Sequence, residues 1–131
     1  MPDYSPVNAS DSLPFTMTAG AAVTGGTFVS ISADKTVVPS TTGDHPVGVA
    51  AHDAPNGGRV TVWPVVGIIH EIAPQGAVAI AAGVPVIAGT TGLANTGALA
   101  TVAAAGTLMG ICTRGGNGGG SPPKAQFLGI A

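Results

Sequence analysis

The sequence predicts an all-β fold: a small β-barrel or sandwich built from two pseudo-repeated halves, with an extended N-terminal arm. Three observations predict it. The first is an internal echo. The blocks Ala22-Val23-Thr24-Gly25-Gly26-Thr27-Phe28-Val29, Val47-Gly48-Val49-Ala50 and Arg59-Val60-Thr61-Val62-Trp63 return as Ala79-Ile80-Ala81-Ala82-Gly83-Val84-Pro85-Val86, Met109-Gly110-Ile111-Cys112 and Lys124-Ala125-Gln126-Phe127-Leu128. The copies are offset by 57, 62 and 65 residues at these blocks, so the drift accumulates in loops. Two copies of one β-rich unit imply a pseudo-symmetric body in which neither half buries its apolar face alone. The second is a series of short apolar runs separated by Gly, Pro, Asn and Asp, the pattern of closed or nearly closed β architectures. The third is that only 98–105 carries a run of good helix formers.

Residues 1–14 form the predicted arm. Prolines at 2, 6 and 14 among Asp3, Asn8, Ser10, Asp11 and Ser12 favour an extended, non-helical chain. One β domain follows over 15–131, with pseudo-repeats at about 15–67 and 68–131. Phe15-Thr16-Met17-Thr18 alternates as a strand with one face in the core. Further strands are predicted at 27–33, 36–39, 46–52, 58–63, 67–73, 84–88, 98–102, 107–113 and 124–130. Ala33-Asp34-Lys35 and Pro55-Asn56-Gly57-Gly58 read as hairpin turns. Gly25-Gly26 and Ala82-Gly83 each precede a strand, where a positive φ or a close backbone approach favours glycine. At 98–102 the β-branched Thr101 and Val102, and the alignment with 37–43, favour strand then loop over helix. Residues 114–123 are too glycine-rich to hold a shape of their own.

Composition narrows the function. Only 8% of residues are charged, against about 25% in ordinary globular proteins. A surface of Ser, Thr, Gly and small apolar groups suits repeated protein contact. Lys35, Arg59, Arg114 and Lys124 are scattered and the formal net charge is −2, so no footprint for nucleic acid is expected. The apolar runs 60–69 and 77–88 are too short for a bilayer and are broken by Pro64, Gly83 and Pro85, so no membrane partner is expected. The start reads as that of a whole protein without a secretory signal, made in a reducing compartment or at least not dependent on oxidation. Cys112, the single cysteine, reads as a small buried hydrophobe.

No chemistry is advertised. His45, His52 and His70 lack the close local pairing of a metal site, so no metal and no cofactor are expected. His70 and Glu71, adjacent on a strand, point to opposite faces. Among the carboxylates only Glu71 lies in an apolar run, and no acid or base partner is evident beside it. The glycines at 115–120 are followed by Pro122-Pro123 and a strand, not by the helix a phosphate loop requires. The expectation is a protein that is not an enzyme.

The polar, proline-bearing start, the Ala-x-Val-Thr-Gly-Gly-x-x-Val run at 21–29, Val47-Gly48-Val49-Ala50-Ala51-His52-Asp53, Gly58-Arg59-Val60-Thr61-Val62-Trp63-Pro64 and the closing Gly110-Ile111 and Phe127-Leu128-Gly129 blocks resemble the head-decoration, or capsid cement, proteins of tailed bacteriophages. The likeness spans nearly the whole chain. It implies a β-barrel-like subunit that trimerises, binds the outer surface of an icosahedral head through its major capsid protein, and stabilises the shell. Tyr4, Pro6 and Val7 in the arm are then the candidate shell contacts, and Trp63, Val65 and Ile68 candidates for core or trimer packing. The alternative is a carbohydrate- or cell-surface-binding β module of a phage fibre or adhesin, although aromatics make up only 4% of residues. An accessory barrel of a larger enzyme is a third reading, and no linker speaks for it.

Overall fold

The structure is a computed structural model that describes residues 4–7, 13–76, 78–116 and 124–130. Five strands close a barrel: β1 (Phe15–Ala19), β2 (Phe28–Ala33), β3 (Thr36–Pro39), β4 (Gly48–Ala50) and β5 (Arg59–Trp63), in the order β1-β3-β2-β4-β5. Five more form a second sheet: β6 (Ile69–Ile72), β7 (Pro85–Ala88), β8 (Ala94–Asn95), β9 (Gly110–Arg114) and β10 (Ala125–Gly129), in the order β6-β10-β9-β7-β8. The fold is all-β, as the sequence predicts, with one helix that it does not predict. Residues 8–12 of the arm and 117–123 of the glycine-rich loop lie outside the described residues.

The strand predicted at 98–102 is a helix, α1 (Leu99–Ala105). Ala and Leu occupy five of its seven positions, and their preference outweighs Thr101 and Val102. Only Val102 is buried, so a single turn's worth of apolar face is enough to seat it. Gly106 ends the helix in the left-handed region at φ 73°, donating its N–H back to Ala103 and Val102. A 3₁₀ turn at Thr90–Gly92 and the two-residue β8 have no counterpart in the sequence reading.

The two sheets share one plan. From its third strand the barrel runs β3-β2-β4-β5-β1, and from its third strand the second sheet runs β8-β7-β9-β10-β6. The closing contact also recurs: β1 pairs with β3 in parallel, and a single parallel bridge between Pro74 and Ala94 occupies the equivalent place. Antiparallel bridges join Val23 to Ala54 and Ile80 to Gly116. The Gly26 amide donates to the Ala50 carbonyl at 2.8 Å, and the Gly83 amide to that of Cys112 at 2.7 Å. Both glycines have positive φ, 79° and 89°, the first of the two reasons for glycine that the sequence offers there. The sequence echo is therefore a repeated hydrogen-bond pattern.

Each half holds a core. Val29, Val37, Val60 and Val62 fill the barrel together with Ala19, Val23, Ala50 and Ala54. Ile72, Ile80, Val86, Met109, Cys112 and Phe127 fill the space under the second sheet. Phe28 and Val49, which are paired across β2 and β4, leave the barrel to join that second core. The Phe28 and Phe127 rings meet at 5.5 Å with a 49° tilt, the geometry aromatic quadrupoles favour. Polar ties reinforce the seam: the Gly92 amide donates to the Ser40 carbonyl at 2.8 Å, and His45 Nδ1 bonds the Gly106 carbonyl at 2.6 Å.

Candidate functional site

Register fixes which side chains of the second sheet face outward. In β6, β9 and β10, His70, Ile72, Cys112, Ala125 and Phe127 point inward and are buried. Residues directly opposite on neighbouring strands share a face. Leu128 stands opposite Ile69 on one side and Ile111 on the other, so these three make an apolar row across the outside of the sheet. Leu128 is 38% exposed, and Ile130, two residues on and hence on the same side, is 48% exposed. Val7 is 52% exposed at the β6 edge, where its amide donates to the Ile69 carbonyl at 2.9 Å.

The next row is polar and self-satisfied. Gln126 lies opposite Glu71 and Arg114. Glu71 Oε2 accepts from Arg114 Nη2 at 3.0 Å and from Gln126 Nε2 at 3.2 Å, and Arg114 also donates to the Lys124 carbonyl at 3.0 Å. An apolar strip flanked by ions that already have partners can be covered without stripping a free charge of water.

The sequence-predicted residues divide between this face and the interior. Val65 and Ile68 are buried, and Trp63 is half-buried at the end of β5. His45, Pro46, Val47, Pro64, Val65 and Val66 line an open apolar notch of about 390 Å³. Of the arm residues, Val7 is exposed and Pro6 half-buried. Tyr4 is committed to its own chain. Its amide donates to the Ala51 carbonyl, its ring stacks on His70 at 5.8 Å and 18°, and its hydroxyl lies 2.7 Å from His70 Nδ1. The arm thus ties the barrel, through Ala51, to the second sheet, through Ile69 and His70.

His70 and Glu71 do point to opposite faces, as adjacent strand positions must. What the sequence did not show is the role of His70. It is fully buried, and its Nε2 lies 2.7 Å from the Pro64 carbonyl. The only signal for it was a histidine at an inward position of β6; its partner Tyr4 lies 66 residues away. Burial lowers the His70 pKa to about 4, partly offset by the Pro64 bond, and pushes the Tyr4 phenol well above its ordinary value. His52 is bonded locally, to the Asp53 carbonyl at 2.9 Å and the Thr61 amide at 3.2 Å. Cys112 is a buried free thiol whose pKa is raised by burial, the environment of an inert core residue. Among the described residues no three His, Cys, Asp or Glu side chains converge as metal ligands.

Two joined β units of one plan, presenting an apolar outer row with few charges, define a class of small all-β proteins suited to surface contact. The N base of the head fibre gp8.5 in bacteriophage phi29 is similar in fold, with a TM-score of 0.66 at 16% identity over 89% of this chain and 92% of that chain. No curated protein sequence matches significantly. The sequence profile of the phage cement proteins matches residues 7–121. The chain belongs to the phage cement protein family. Its place is the virion, where it decorates and stabilises the capsid.

Proposed function

We propose that this protein docks on the outer surface of the phage head as a homotrimer, seats on the major capsid protein, and holds neighbouring shell subunits together without catalysing a reaction. The observation that carries this reading is the apolar row Ile69-Leu128-Ile111, extended by Ile130 and edged by Val7, on the outer face of a rigid sheet. Covering it releases water from apolar surface, worth roughly 25 cal/mol per Å². The adjacent Glu71–Arg114 pair needs no new partner on docking. Three copies on a three-fold site would multiply a modest single contact into avid attachment. His52 and His70 are held in structural bonds and Cys112 is buried, which supports a non-catalytic reading.

Leu128→Glu places a carboxylate in the middle of this row. It is expected to leave the fold intact and weaken binding to expanded capsids at least about tenfold in co-sedimentation, since burying an unpaired charge costs more than 1.4 kcal/mol. Ile31→Glu, at a 55% exposed position on the barrel, is expected to bind as the natural protein does. Equal binding by both variants would remove the outer row from the interface. Size-exclusion with light scattering on the same variants reports whether the trimer forms before docking.

A further inference from the structure

We propose that residues 4–7 form a clasp that acid releases: protonation of His70 unseats Tyr4 and uncovers the outer edge of β6.

The hydrogen-bond pattern leaves His70 one protonation state. The Pro64 carbonyl can only accept, so Nε2 carries the hydrogen. Nδ1 is then a bare acceptor, and the Tyr4 hydroxyl donates to it. The same hydroxyl oxygen accepts the Glu71 amide at 3.1 Å. Tyr4 therefore takes one hydrogen from the β6 edge and gives one to a ring behind it. Its own ring lies over Gly26, where an added Cβ would sit 3.5 Å from the tyrosine, and against His70.

This clasp covers a sheet edge. On the side of β6 away from β10, the Ile69 carbonyl accepts from Val7, the Glu71 amide donates to Tyr4, and the Ala73 carbonyl accepts from Ala94. Two of these three edge groups are satisfied by residues of the arm. An uncovered strand edge is a template for pairing with another chain. Release of the arm changes what this edge can bind.

A proton on Nδ1 removes the acceptor. The Tyr4 hydroxyl can then no longer donate to it and must turn its hydrogen away, and an imidazolium is left in a largely apolar pocket. Among the described residues no counter-ion faces it. From β10 it meets the Phe127 ring at 5.7 Å, from the β5–β6 connection the Pro64 carbonyl, and from the arm a neutral phenol. The nearest carboxylate in sequence, Glu71, points to the opposite face and is bonded to Arg114 and Gln126.

The sign follows from linkage. In the clasped state His70 takes a proton only near pH 4, and once exposed it does so near its ordinary 6.5. The clasp is fully stable above pH 6.5 and loses strength as pH falls towards 4. The release equilibrium rises as pH falls through that window, by at most about tenfold per pH unit, then levels off.

Tyr4 and Trp63 are the only tyrosine and tryptophan in the chain, so each gives an unambiguous signal. With ¹³C-labelled tyrosine, the Tyr4 ring resonance is expected to move from its docked position to that of free tyrosine between pH 6.5 and 3.5. Exchange of the Val7 amide, corrected for its intrinsic rate, should rise in parallel. The His70 ring nitrogens should titrate together with both, while Trp63 emission stays constant. In His70→Gln, which cannot take the proton, Val7 exchange should be flat over the same range. The proposal is overturned if Tyr4 stays docked at pH 3.5, if it moves while His70 remains neutral, if Trp63 changes with it, or if the Gln variant shows the same pH dependence. The first three outcomes need only the natural protein, so the test survives a variant that fails to fold.

Discussion

Replacing Phe127 with Ala is expected to lower the unfolding free energy by about 3–5 kcal/mol, the range for removing a large buried aromatic. Phe127 is 1% exposed and sits at the junction of three parts of the molecule. Its ring meets Phe28 from the barrel at 5.5 Å and the His70 imidazole at 5.7 Å, and its strand runs between β6 and β9. The void left by truncation cannot close easily. Phe28 is held by its pairing with Val49, and His70 by bonds at both ring nitrogens. Its chain neighbour Leu128 provides the control. Leu128→Ala, on the outer face, is expected to cost no more than about 1 kcal/mol. Urea unfolding monitored by Trp63 fluorescence separates the two. Similar losses at both positions would mean the register of β10 is off by one residue, since a one-residue slip exchanges the two faces.

That contrast shows what was legible in the sequence. The sequence predicts a strand over 124–130, so neighbouring residues there must face opposite ways, and the structure sets Phe127 inward and Leu128 outward. The echo between Gly48 and Gly110 marks equivalent positions, since at both an added Cβ would meet the carbonyl oxygen of the paired strand. Local patterns of this kind are written in adjacent residues. Two features were not. Helix α1 was misread because Thr101 and Val102 argue for a strand and because the sequence sets 98–102 against 37–43, whereas the strand equivalent to β3 is β8; the deciding terms are five Ala and Leu residues and the Gly106 cap. The Tyr4–His70 clasp was invisible because it joins positions 66 residues apart, and nothing in the periodicity of a proline-bearing arm says which strand it will cover. Tyr4 was a candidate shell contact through the family resemblance and its place in the arm. Its ring instead fills the seam, which leaves Val7 as the exposed member of the arm's candidate contacts.

Gly110→Ala is expected to be among the most damaging single-methyl changes in the chain. A Cβ at Gly110 would lie 2.2 Å from the Leu128 carbonyl oxygen and 2.7 Å from the Phe127 ring. The first of these is backbone of the paired strand β10 and cannot rotate away. Gly129 lies opposite Gly110 in the ladder, so the two strands pass here with no side chain between them. Relief requires prying β9 from β10, which strains the ladder that carries Leu128. The expected loss is about 3 kcal/mol or more, at the upper end of overpacking costs. Gly48, the equivalent position of the barrel, has the same environment: its Cβ would lie 2.3 Å from the Trp63 carbonyl oxygen and 2.5 Å from Val62. Gly48→Ala is therefore expected to cost a similar amount, and the two variants form an internal check on the repeated plan. They differ in one respect. Gly110→Ala distorts the outer row of β9 and β10 and should also weaken capsid attachment at temperatures where the protein remains folded, whereas Gly48→Ala, confined to β4 and β5, should not. Thermal unfolding gives the first comparison and co-sedimentation with capsids at low temperature the second. A Gly110→Ala protein with unchanged melting temperature would show that β9 and β10 are not packed as closely as their ladder requires.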